Sequence, residues 1–70
     1  MSTPTILSNN ATIYDAHGHI ANQGVKVILV PATDTECETV AIGLDAHRAD
    51  DLIITPTRIT SKIAGWEVAL

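Results

Sequence analysis

Val25-Lys26-Val27-Ile28-Leu29-Val30-Pro31 is the stretch on which the fold turns. Apart from Lys26 it is a run of β-branched and aliphatic side chains closed by a proline. Val25, Val27 and Leu29 share one face at the period-2 spacing of a strand. Ile28 and Val30 occupy the other, so both faces are expected to be largely covered. Pro31-Ala32-Thr33-Asp34-Thr35 has turn composition. Residues 39–44 then resume the alternation, with Val40, Ile42 and Leu44 on one face. The two runs predict an antiparallel hairpin as the central feature of the fold.

Toward the N-terminus, Ser8-Asn9-Asn10 reads as a turn between Thr5-Ile6-Leu7 and a second run, 11–14. In that run Ala11 and Ile13 face one way, Thr12 and Tyr14 the other. Residues 18–24 hold two glycines and Asn22, the pattern of a long loop or a distorted hairpin. Toward the C-terminus, the polar stretch 45–51 predicts a single helical turn with Asp45 as its N-cap. Leu52-Ile53-Ile54 predicts a short buried strand. Residues 55–65 admit two readings. Thr55 before Pro56 and Gly65 after Ala64 fit the start and stop of a short helix with Ile59 and Ile63 on one face. The β-branched Thr57, Ile59, Thr60 and Ile63 favour a strand or 3₁₀ turn around 58–60. Trp66, Val68 and Leu70 alternate and predict a docked final strand.

Together these runs predict one all-β domain over residues 1–70, with at most one short helical turn. Five or six closely spaced strands imply a small barrel or roll. By topology the chain is similar to SH3-like barrels, with a long first loop, a central hairpin and a helical turn before the final strand. An internal echo adds to this picture. Ala11-Thr12-Ile13-Tyr14-Asp15-Ala16-His17 resembles Ala41-Ile42-Gly43-Leu44-Asp45-Ala46-His47, as if two ββ units packed about a pseudo-dyad.

Composition bounds function. The 70 residues include nine Ile, nine Ala, five Val and five Leu, but only Tyr14 and Trp66 as aromatics. A domain this small buries about 60% of its unfolded surface, which leaves no room for an enclosed cofactor site. The net charge is −4 and the only fixed cations are Lys26, Arg48, Arg58 and Lys62. Scattered cations among carboxylates make no phosphate-binding stripe, so nucleic acid and anionic membrane surfaces are disfavoured. Cys37 stands alone between Glu36 and Glu38, which suits a small, partly buried structural residue. A single cysteine and the lack of a visible signal sequence point to the cytoplasm.

The string closest to chemistry is Asp15-Ala16-His17-Gly18-His19. In an extended chain Asp15, His17 and His19 project to one side, a legitimate spacing for metal ligands. With His47 brought in by the second Asp-Ala-His, and Asp15 or Asp45 as the carboxylate, a divalent transition-metal site is the alternative to a structural Asp15-capped turn. Tyr14-Asp15-Ala16-His17-Gly18-His19-Ile20 also resembles the first metal-binding strand of the amidohydrolase superfamily. That family needs a (β/α)₈ barrel of about 250 residues, so none of its catalysis is carried onto this chain. Type II dihydrofolate reductases show how a chain of this size can build an enzyme site at an oligomer pore. Their Gln-Ile-Tyr pore motif is absent here; the nearest stretch is Leu52-Ile53-Ile54-Thr55-Pro56.

The expected function is therefore non-catalytic: a small β module acting through protein–protein contacts, as a homo-oligomer. Tyr14, Trp66, Ile53 and Leu70 are the candidate contact residues, Trp66 being read first as the central packing residue of a core poor in aromatics, with Ile28, Val30 and Ile54 helping to cover an intersubunit face. A small-ligand or enzyme site at an oligomer interface is a further alternative. A compact acidic module of this kind fits an accessory protein of a phage or mobile element.

Overall fold

In the computed structural model, which describes residues 3–70, the expected central hairpin is present. β2 (Ile20–Val30) pairs antiparallel with β3 (Thr39–Ile42) in a register running from Val27 opposite Ile42 to Val30 opposite Thr39. Val25 and Val27 are buried, as are Val40 and Ile42 of β3. The second face of β2 is less covered than expected, since Ile28 and Val30 are only half-buried.

β1 (Thr5–Tyr14) is one continuous strand paired with β2 along its length. Ser8-Asn9-Asn10 is therefore not a turn. Its polar residues are accommodated by register shifts: Ile6 faces Ile28, Ser8 faces Val27 and Ala11 faces Val25, so β1 carries extra residues there. Beyond Ala11 the excess passes to β2, where Ile13 faces Asn22 and Tyr14 faces Ile20. The predicted distorted hairpin is this bulged ribbon. Bulges increase twist and bend a strand.

The stretch 45–51 departs from expectation. Asp45–Arg48 is a strand, β4, paired with β3, and only Ala49–Asp51 forms a 3₁₀ turn. The chain reverses instead at Gly43-Leu44. Gly43 has φ 62° and no non-glycine residue has positive φ among the described residues, the pattern of a Gly-X hairpin turn. The internal echo is thereby refuted, because Asp15-Ala16-His17 begins a turn whereas Asp45-Ala46-His47 lies in a strand.

β5 (Leu52–Ile54), β6 (Arg58–Ser61) and β7 (Glu67–Ala69) form a meander. Residues 58–61 are a strand rather than a helix, as the β-branched content favoured. β7 docks on β1 with Ile13 opposite Val68, and the Leu70 N–H donates to the Thr57 carbonyl at 3.1 Å. β5 is less buried than expected: Leu52 is in the core, but Ile53 and Ile54 are 52% and 40% exposed. Its position at the edge of the sheet explains this.

The result is an all-β fold in one antiparallel sheet of seven strands, ordered β4-β3-β2-β1-β7-β6-β5. Laid flat, its edge strands would lie about 29 Å apart at ordinary strand spacing. Yet Arg48 and Leu52, at the two edges, are joined through the Ala49–Asp51 turn, which spans at most about 14 Å. The sheet therefore has to curl. Its edges approach at that corner, although no ladder joins β4 to β5 among the described residues. The β1–β2 ribbon serves both halves, pairing with β3 through 27–30 of β2 and with β7 through 12–14 of β1. A single core of Ala11, Val25, Val27, Val40, Ile42, Leu52, Ile59 and Val68 fills the space between, with Leu7, Ile13, Leu29, Trp66 and Leu70 packed against it. Among the described residues no helix is long and apolar enough to cross a membrane.

Candidate functional site

Three chain reversals gather at one end of the sheet. The first joins β1 to β2. Asp15 opens a turn closed by hydrogen bonds from the Gly18 N–H to the Asp15 carbonyl (3.0 Å) and from the Asp15 N–H to the His19 carbonyl (2.8 Å). Gly18, at φ 84°, supplies the left-handed residue that a three-residue hairpin loop requires. The Asp15 carboxylate accepts the backbone N–H groups of His17 and His19, both at 2.9 Å. The second reversal is Gly43-Leu44, flanked by Ile42 and Asp45. The third runs from Ser61 to Trp66, where the buried Ser61 hydroxyl accepts the Ala64 N–H at 2.9 Å.

The side chains at the base of these turns surround a cavity of about 290 Å³. Ile13, Ala21 and Ile42 give it an apolar floor, Trp66 and His47 an aromatic wall, and Asp15 and Asp45 two carboxylates. The Trp66 and His47 rings are tilted at 57° with centroids 4.9 Å apart. This volume lies at the lower end of the roughly 300–1,000 Å³ typical of small-molecule sites. A second, more polar depression of about 460 Å³ lies on the other side of the Asp15 turn, bounded by Tyr14, Arg58 and Glu67 among others. There Arg58 and Glu67 approach to 3.7 Å.

Asp15 is the titratable group whose environment is most defined. The backbone N–H of His19 is the chief influence holding its carboxyl below the ordinary carboxylate value. Partial desolvation opposes this, and the His17 N–H and the two nearby imidazoles add to the lowering. Asp15 thus acts as a structural acceptor that fixes the first turn, the role expected for an aspartate opening a turn.

The proposed metal ligands are only partly brought together. His17 and His19 have ring centroids 6.4 Å apart, and His19 Nδ1 lies 3.7 Å from Asp15 Oδ2. His47 packs on Trp66 and lines one cavity with Asp15 and Asp45, whereas His17 and His19 do not line it. Among the described residues no group of three or more His, Cys, Asp or Glu side chains is arranged to hold a metal ion. The physical reason is the failed echo: a turn and a strand do not present their histidines alike. Cys37 is exposed rather than partly buried, with Arg48 Nη2 at 3.5 Å from its sulfur.

Of the contact candidates, Tyr14 and Ile53 fall on one outward row. Tyr14 faces Glu67, Glu67 faces Thr60 and Thr60 faces Ile53. Trp66 and Leu70 pack against the core, so they are not on that row. Asp45 was a candidate carboxylate beside Asp15 and His47, and these three do line one cavity. Ile13 and Ala21 were not singled out as cavity residues. The inward parity of Ile13 was legible, but Ala21 and Asp45 reach the cavity only through the β2 bulge and the Gly43 turn. Comparison with protein-family models, curated proteins and solved structures yields no match.

Proposed function

We propose that this chain is a non-catalytic module of the small, SH3-like barrel kind, which works through protein–protein contacts and assembles with its own copies along β5. The observation that carries this is the outer side of β5. It has a ladder partner on one side only, β6, while Ile53 and Ile54 stand exposed. Proteins normally blunt such edges with charge, proline or bulges. The other unpaired edges are blunted in this way: β4 carries exposed Asp45 and Arg48, and the first half of β1 is bulged around Asn9 and Asn10. β5 is only three residues long, which itself limits an edge, but its sequence Leu-Ile-Ile carries no charge, proline or bulge. Two β5 strands meeting antiparallel about a two-fold axis would continue the sheet and cover both pairs of isoleucines. A lone thiol suits a reducing compartment, in keeping with a cytoplasmic protein.

Sedimentation equilibrium tests the proposal. The expected result is a dimer at micromolar concentration and a monomer for Ile53→Lys with unchanged far-UV dichroism. A wild-type chain that remains monomeric throughout would overturn it.

A further inference from the structure

The cavity at the turn end has a chemistry that the β5 edge does not use. None of its lining residues belongs to β5. Its walls are apolar and aromatic, its only formal charges are the carboxylates of Asp15 and Asp45, and no lysine or arginine lines it. Asp15 directs Oδ1 to two backbone N–H groups and Oδ2 toward His19. Asp45 has no ion-pair partner among the described residues. The whole chain carries a formal charge of −4, so the local sign is reinforced rather than cancelled at a distance.

We propose that this cavity receives the side chain of a lysine or arginine presented by a protein partner. A basic side chain combines an apolar stem with a cationic head, and the cavity offers a surface for each. Ile13, Ala21 and Ile42 would take the methylenes, and Asp45, seconded by Asp15, would pair with the head. The Trp66 ring would add the attraction of a π face for a cation. The size agrees, because a cavity of about 290 Å³ suits one long side chain rather than a drug-sized ligand. A glutamate would meet two like charges, and an uncharged chain would leave the carboxylates without a partner. The occupant is a different molecule from the copy proposed at β5.

The test uses capped Gly-X-Gly tripeptides at pH 7.5, with X lysine, arginine, norleucine or glutamate, titrated into the full chain. Trp66 is the only tryptophan, so its indole N–H gives one assignable NMR signal. The lysine and arginine peptides are expected to move that signal and the amides of Ala21 and Ile42. Norleucine should bind about tenfold more weakly and glutamate not measurably, as expected when charge complementarity sets specificity. Asp45→Asn should weaken lysine binding several-fold and Asp45→Lys abolish it. Either variant serves if the other fails to fold. Ile53→Lys should bind as the wild type does, which separates this site from the assembly edge. Equal binding of norleucine and lysine, undiminished binding by Asp45→Lys, shifts confined to other residues, or no binding at millimolar peptide would each overturn the proposal.

Discussion

At the scale of single residues, burial and hydrogen bonding divide the isoleucines and the aspartates into distinct classes. Ile59 is fully buried among Val27, Val40 and Val68, whereas Ile63 is 80% exposed in the third turn. Truncation of Ile59 to alanine should cost about 2–5 kcal/mol, a large part of the stability of so small a domain. Ile63→Ser should stay within about 0.5 kcal/mol of wild type. Urea denaturation checks both. Asp15 gives a pH signature with a defined sign. Its folded carboxyl titrates below its ordinary value, so the ionised form is favoured by folding. That contribution is complete above the unfolded carboxylate value of about 3.9 and fades as pH falls through the lower folded value. Asp15→Asn keeps an oxygen acceptor but not the charge. The gap in melting temperature between wild type and variant is therefore expected above about pH 5 and should close toward pH 2.

At the scale of elements, the turns decide what the strands can do. The β3–β4 reversal needs Gly43 at positive φ, and a Cβ there would meet Val25 Cγ1 at an ordinary 3.5 Å. Backbone conformation, not crowding, sets the cost. Gly43→Ala should lose about 1–2 kcal/mol, whereas Leu44→Ser, at a fully exposed position, should be neutral. Thermal melts of the two variants are the check. The same turn explains where sequence reasoning stopped. Alternation in 25–30, in 39–42 and at Trp66, Val68 and Leu70 was legible because one face of each is in the core. Asp45-Ala46-His47-Arg48 has no such alternation, so its pairing with β3 comes from the Gly43 reversal and not from hydrophobic pattern. Ser8-Asn9-Asn10 looked like a turn because its residues suit one, yet a bulge accommodates the same residues without reversing the chain. The candidate site suffered accordingly: Asp15 as a turn acceptor followed from its spacing, but the convergence of Asp45 with Trp66 depends on two long-range ladders.

At the scale of the molecule, the thin aliphatic core and the apolar edge at β5 bear on the same proposal. A core without phenylalanine leaves a small margin, and a second chain at β5 would add to it. Association of this kind links stability to concentration. The melting temperature of the wild-type chain should rise with protein concentration over the micromolar range, while that of Ile53→Lys should not change. Differential scanning calorimetry at several concentrations makes the comparison directly.

The Ala49–Asp51 turn has one more consequence. It is the sole covalent link between β1–β4 and β5–β7, yet the larger joint between them is the ladder of β1 with β7. Severed at that turn, the chain would yield two complementary fragments. The smaller would keep only part of its interior, since Leu52, Ile59 and Val68 share one core cluster with Ala11, Val25, Val27, Val40 and Ile42 of the larger. The larger would expose the groove that those side chains fill. Such a pair would behave as a lock and its insert, each half ordered by the other.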